Sequence, residues 1–181
     1  MMGAMDRPGF ALFDTEIGTC AVGWTAAGIA AVALPEASTP ATVARLRRRL
    51  PGATQSEPTS KVAAAIDAMV ALLAGQPAEV SAVELDLADV PQFHRRVYEV
   101  TRAIAAGHTM TYGSVAAAAG APGAAQAVGQ ALGANPCPIL VPCHRVLAAD
   151  GTLGGFSAPG GADTKRRMLL AEGAAIAPTL F

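Results

Sequence analysis

From Thr109 to His144 the chain carries no lysine, arginine, aspartate or glutamate. Such a stretch has no ionic contacts to offer, so its small residues have to be used in close packing or close approach. TYGSVAAAAG reads as a helix ending at Gly120, Ala121-Pro122 as a turn, and Gly123 to Ala134 as a second helix. Helix, short glycine-containing turn, helix is the helix-turn-helix signature. Pattern alone fits two Ala-rich helices packed inside a domain equally well. A helix that reads major-groove base edges usually carries Arg, Lys, Asn or Gln. Here Ala127, Gln130 and Ala131 alternate with glycines, which suits backbone approach to a groove and not the reading of a sequence.

The same stretch closes on NPCPILVPCHRV, Asn135 to Val146. Pro138-Ile-Leu-Val-Pro142 reads as a short buried strand clipped at both ends, because proline is confined to strand starts and edges. Cys143 then stands where the strand gives out. A thiol there, with an imidazole next door, is a setting in which the thiolate fraction is raised at neutral pH. The plainer reading is packing, since free cysteine behaves as a small buried hydrophobe and neighbouring side chains on an extended chain point to opposite faces. The surrounding string decides between them.

Length and composition bound the rest. The 181 residues are enough for one good core or two small ones, and 52% hydrophobic with 15% charged residues describe a compact soluble protein. No apolar run reaches membrane-spanning length, and MMGAMDRPGF lacks a basic region followed by an apolar segment, so a cytoplasmic protein is expected. Cys20, Cys137 and Cys143 are too few and of the wrong parity for a disulfide framework. With no C-x-x-C or H-x-x-x-H pair, no metal site or cofactor is expected. The net charge of −1 argues against a nucleic-acid binder, yet residues 1–89 hold 6 basic and 10 acidic side chains and residues 90–181 hold 7 and 4. Only the later part suits a polyanion.

Before the charge-free stretch, FALFD, TCAVGW and IAAVAL within residues 9–34 suit an antiparallel meander. Pro40 to Leu50 reads as a helix whose Arg45, Arg47, Arg48 and Arg49 form a solvated face, and PGATQSEPTS as a loop. Lys61 to Ala74 reads as a helix with Val62, Ile66, Met69 and Leu73 on one side, stopped at Gly75-Gln-Pro77. VELDL, Val83 to Leu87, reads as one more strand. A boundary near Asp89-Val-Pro91 separates an α/β domain, 1–89, from a mainly helical domain, 90–181. The latter opens on an amphipathic helix with Phe93, Val97, Val100 and Ile104 on one face.

PCHRV, preceded by Asn135-Pro136 and followed by G-x-x-G-G-F, closely resembles the active-site signature of the O6-alkylguanine-DNA alkyltransferases, the methylated-DNA–protein-cysteine methyltransferases. KRRMLLAEG, Lys165 to Gly173, resembles that family's terminal helix. The resemblance is strong over roughly residues 90–175 and weak before. It implies direct, stoichiometric transfer of an alkyl group from O6-alkylguanine in duplex DNA to Cys143, with O4-alkylthymine left open as a further substrate, His144 as general base through a water and Glu172 orienting it. Asn135 would brace the cysteine turn and Tyr112 would help protonate the leaving base. Ser157 would offer its backbone N–H toward O6, the carbonyls of Cys143 and Val146 would accept the exocyclic amine, and Pro138 and Phe156 would complete the base pocket. Arg145 would hold the loop by hydrogen bonds. Gln126, Ala127, Gln130, Ala131 and Tyr112 would face the minor groove, where small side chains permit close approach.

The product thioether has no easy leaving group, so one event per molecule is implied. Gln126 stands where the family usually has an arginine, and the loop SAPGGADTK is slightly long against the family pattern. The competing readings are a non-catalytic lesion-recognition protein, which the presence of Cys143 disfavours, and a turnover thiol hydrolase, for which no oxyanion-hole signal exists. A monomer without cofactor is expected.

Overall fold

The computed structural model describes residues 7–176; the MMGAMD start and residues 177–181 lie outside the described residues. Three strands, β1 (Gly9–Thr15), β2 (Gly18–Thr25) and β3 (Gly28–Ala33), form the expected antiparallel meander. The turn into β2 needs a backbone that L side chains rarely adopt, and Gly18 supplies it with φ +122. α1 (Thr39–Arg49) starts where the Ser38 side chain accepts from the N–H of Ala41, with Pro40 in the first turn and Arg47, Arg48 and Arg49 complementing the dipole in the last. Its Leu46 packs with Phe10, Ala21, Ala31, Ala33 and Ala53. α2 (Ser60–Leu73), capped by Thr59, buries Val62, Ala65, Met69, Leu72 and Leu73 and packs on β1.

Two features of residues 9–89 differ from expectation. Thr54–Gln55 is a short strand, β4, pairing parallel with β1 and giving the sheet order β3-β2-β1-β4. Both its residues are exposed, so no apolar pattern marks it. VELDL, conversely, makes only one bridge, Ile29 with Leu85, through Ile29 N–H to Glu84 O and Asp86 N–H to Ile29 O. The Asp86 carboxylate then accepts from Thr25 Oγ1 at 2.6 Å and from the Ala88 N–H, which turns the chain before a second rung forms.

The chain divides into two compact units: one of residues through Ala88 with Pro136–Leu140, the other of Asp89–Asn135 with residues from Val141 on. In the second, α3 (Gln92–Arg102) buries Val97, Tyr98 and Thr101 most deeply, a face rotated slightly from the Phe93–Val100 stripe. The cause is polar: the Tyr98 hydroxyl donates to Ala131 O at 2.7 Å, tying α3 to α5 (Ala125–Gly133). α4 (Tyr112–Ala118) begins at Thr111, whose hydroxyl accepts from the Ser114 N–H. Between α4 and α5, Gly120 and Gly123 take positive φ and make the turn. A two-stranded parallel sheet joins β5 (Met110–Thr111) to β6 (Val146–Leu147), and α6 (Gly161–Ala171) follows left-handed Gly160.

Pro138–Pro142 is not a strand. Ile139 sits at φ +73, a left-handed conformation rare for a β-branched residue, and no ladder runs through the segment. Pro136 O accepts from Val32 N–H in the first unit, and across the turn Asn135 Nδ2 donates to Val141 O at 2.9 Å within the second. Among the described residues no helix is long and apolar enough to cross a membrane.

Tyr98→Phe removes the buried hydrogen bond to Ala131 O, so denaturant unfolding should show a loss of about 1 kcal/mol in stability. An unchanged midpoint would mean that the hydroxyl does not anchor α5.

Candidate active site

Cys143 does not follow a strand. It opens a single 3-10 turn, Cys143–Arg145, in which Arg145 N–H bonds Pro142 O and Val146 N–H bonds Cys143 O. The turn runs directly into β6, which pairs with the residues that start α4. Cysteine and Tyr112 are therefore fixed to the same two-stranded clamp. Cys143 is 8% exposed, and it lines an open cavity of about 880 Å³ together with Thr111, Tyr112, Gln126, Gln130, Phe156 and Ser157. Cys20 and Cys137 are fully buried in the first unit, and burial pushes the Cys20 thiol up to about 12, which makes it inert.

Behind the turn lies a buried charge cluster. Glu172, at the carboxyl end of α6, accepts from Arg145 Nε at 2.9 Å and from Arg145 Nη2 at 2.7 Å, and it contacts His144 Nε2 at 2.8 Å. Arg145 Nη1 donates to Ile104 O at 2.6 Å. Burial alone would raise the Glu172 carboxyl, but the bonds from His144 and Arg145 outweigh it and hold the group at about 2. An ionised carboxylate only accepts, so the His144 Nε2 carries its hydrogen. Burial lowers the imidazole's own pKa, leaving the ring neutral near pH 7. A neutral ring protonated on Nε2 has a bare Nδ1, and that Nδ1 is buried with no hydrogen-bond partner among the described residues. The geometry thus fixes the tautomer and leaves one basic nitrogen beside the cysteine turn.

At Cys143 the forces oppose one another. Burial dominates and raises the thiol above its ordinary value, while the Asn135 side chain, the Lys165 charge and the backbone N–H groups of Cys143 and His144 pull it part of the way back. Asn135 therefore acts twice, bracing the turn through Val141 O and bonding the sulfur. Tyr112 stands half-buried at the cavity wall, its hydroxyl 3.5 Å from Gly155 O; burial, then the Cys143 charge, raises its pKa. Gly154 carries φ +67 and lies where a Cβ would meet the Tyr112 ring at 3.5 Å. Ser157 Oγ donates to Gly133 O at 3.3 Å, linking the glycine-rich loop to the end of α5.

Most of the residues singled out in the sequence converge on this site, and three do not. Ala131 is fully buried, its carbonyl taken by Tyr98, so the exposed side of α5 is Gln126 and Gln130 with half-buried Ala127 beside them. Pro138 belongs to the first unit and does not line the cavity. Val146 does not line it either, and its carbonyl is engaged by Lys165 Nζ at 2.6 Å. Lys165, buried against the Tyr112 and Phe156 rings, is the residue beside the site that sequence reading passed over. Its signal was present: Lys165, Met168 and Leu169 occupy the i, i+3, i+4 positions of the buried face of α6, where a lysine is out of place. Among the described residues no group of His, Cys, Asp or Glu is arranged to hold a metal ion.

A thiol lining an open cavity, backed by a histidine–carboxylate pair, is the arrangement of a cysteine-centred site. A family model, "6-O-methylguanine DNA methyltransferase, DNA binding domain", matches residues 92–174. The methylated-DNA–protein-cysteine methyltransferase of Mycolicibacterium paratuberculosis is 46% identical over 110 residues, covering 61% of this chain and 64% of that protein. Its counterpart from Salmonella typhimurium is 45% identical over 107 residues, covering 59% and 61%. The matched stretches thus span less than two thirds of these relatives. The crystal structure of Mycobacterium tuberculosis OGT in complex with DNA aligns over 91% of this chain and 92% of that one, with 34% identity and a TM-score of 0.74. The O6-methylguanine-DNA methyltransferase structure from Pyrococcus kodakaraensis aligns at 27% identity and a TM-score of 0.67. The chain belongs to the methylated-DNA–protein-cysteine methyltransferase family.

The Glu172 carboxyl titrates lower in the folded chain than its ordinary 4.5, so the stability it confers is complete above about pH 4.5 and is lost as pH falls toward 2. Glu172→Gln should cost roughly 3–5 kcal/mol at neutral pH, since it leaves a buried guanidinium uncompensated. It should also flatten the acid limb of the stability–pH curve measured by urea titration; an unaltered acid limb would exclude Glu172 as its source.

Proposed function

We propose that this protein repairs DNA by moving an alkyl group from O6 of guanine in a duplex to its own Cys143, once per molecule. The observation that carries this reading is the pairing of a cavity-lining thiol with a buried His144 whose tautomer Glu172 dictates. His144 Nδ1 takes the thiol proton, through a water, and Glu172 stabilises the imidazolium that results. The Cys143 thiolate attacks the alkyl carbon as the bond from that carbon to O6 breaks. The electron pair stays on the purine, and a proton supplied from the Tyr112 side makes it a neutral guanine. The sulfur ends as a thioether, which no group in the site can displace.

A base inside a duplex cannot reach a thiol that is 8% exposed, so the target nucleotide enters the cavity turned out of the stack. Tyr112, Phe156 and the Ser157 N–H receive it, with Gly154 and Gly155 allowing close approach to a flat ring. The Cys143 carbonyl oxygen, which accepts from the Val146 N–H, retains a second lone pair for the exocyclic amine. Asn135 keeps that turn in place. α4 and α5 act as a helix-turn-helix laid against the minor groove through Gln126, Ala127 and Gln130; glycines at 129 and 133, with open space around them, permit the approach. Gln126, exposed on the first turn of α5 and lining the cavity mouth, fills the gap left by the extruded base. The chemistry calls for a reducing compartment, hence the cytoplasm, and for neither cofactor nor partner subunit. A recognition-only protein has no use for a nucleophile lining the pocket, which places that reading second.

Mixing the protein with a duplex bearing O6-methylguanine should add one methylene to Cys143 by peptide mass spectrometry, saturating at one per chain and absent in Cys143→Ala. Lesion binding with no mass gain would transfer the assignment to recognition alone. Gln126→Arg should tighten binding several-fold and steepen the salt dependence of log K by about 0.9, the value of one added phosphate contact; an identical salt slope would show that residue 126 does not reach the backbone.

A further inference from the structure

Lys165 is fully buried, and its ammonium makes one hydrogen bond, to Val146 O at 2.6 Å. Two ring faces flank it, Tyr112 at 5.7 Å and Phe156 at 5.9 Å, and both rings line the cavity into which Cys143 opens. Among the described residues no carboxylate pairs with it. Glu172 on the same helix is committed to Arg145 and His144. A buried cation without an anion is costly, and one carbonyl with two ring quadrupoles covers only part of the deficit. Of the two acids on this cavity wall, Tyr112 and Cys143, it is the Cys143 sulfur whose charge and the Lys165 charge act on each other. We infer that Lys165 is a positioning residue for Cys143: its enclosed ammonium is the counter-cation of the thiolate, and it loses that partner when the sulfur is alkylated.

The groups around it fit this pairing. The Cys143 charge raises the lysine and the Lys165 charge lowers the thiol, while burial holds Lys165 down to about 8. The Lys165 charge also helps keep His144 neutral and so able to accept the thiol proton. Tyr112 and His144 are the other titratable groups facing the pair, and Arg145 with Glu172 forms a closed pair behind them. Transfer forms the S–C bond, breaks the C–O bond and erases the sulfur's charge. The ammonium is then left with a carbonyl and two rings, and it releases its proton to solvent more readily than before.

This inference rests on Cys143 being the acceptor of the proposed reaction, and it is tested without DNA so that the two stand or fall separately. The rate of Cys143 alkylation by iodoacetamide against pH should show a thiolate midpoint raised by at least about one unit in Lys165→Met, a loss of about tenfold at neutral pH, with much of it restored in Lys165→Arg. A folded Lys165→Met variant with the wild-type midpoint overturns the inference, because a purely structural lysine would leave the thiol unmoved. Should the variant not fold, the wild-type protein answers instead: NMR titration of the Lys165 side chain should show its midpoint falling after S-methylation of Cys143, and an unmoved midpoint overturns the pairing.

Discussion

A single buried carboxylate holds the site together. Glu172 accepts two bonds from Arg145 and faces the His144 ring, so one charge satisfies a buried guanidinium, sets a histidine tautomer and joins α6 to the cysteine turn. Each of these is an electrostatic debt that the others settle: without the carboxylate, the guanidinium would be an unpaired charge in the core and the imidazole would be free to exchange tautomers. The remaining guanidinium nitrogen reaches Ile104 O and fixes the segment after α3 as well. The geometry of the site and the stability of its core are here the same set of bonds.

The clamp between β5 and β6 does the complementary work at the front. It has only two rungs, Met110 with Val146 and Thr111 with Leu147, yet it sets the spacing between the start of α4 and the end of the cysteine turn. Thr111 is both the last residue of β5 and the cap of α4, so Tyr112 leaves the sheet with its direction decided. The Asn135 amide closes the other side by bonding Val141 O. Short elements suffice because the turn they hold is buried and has few other conformations open to it.

The sequence makes periodic elements legible and aperiodic ones obscure. The meander, α2 and the amphipathic character of α3 follow from spacing, since their buried faces repeat at two or 3.6 residues. The run Pro138–Pro142 has no period: five apolar residues between prolines read as a strand, and nothing local announces that Ile139 turns left-handed. VELDL alternates correctly but is stopped by the Asp86 side chain bonding backward and forward, a competition that pattern does not weigh. At the site, Cys143 and His144 are visible as a motif, whereas their connection to Glu172, distant in sequence, comes only from family resemblance. Lys165 was lost because a lysine in a helix is ordinarily assumed to face water. Ala131 was misplaced for the converse reason: a small residue does not reveal which side of its helix is covered.

The order of these residues along the chain has a consequence for biosynthesis. Chains emerge from the ribosome amino end first, and Cys143, His144 and Arg145 precede Glu172 by the whole of the glycine-rich loop and α6. Until that helix is made and docked, the imidazole has nothing to select its tautomer and the arginine has no anion to fold around. A nascent chain that has passed Cys143 but not yet completed α6 therefore carries an ordinary cysteine, and the proposed transfer waits for the helix that ends at Glu172.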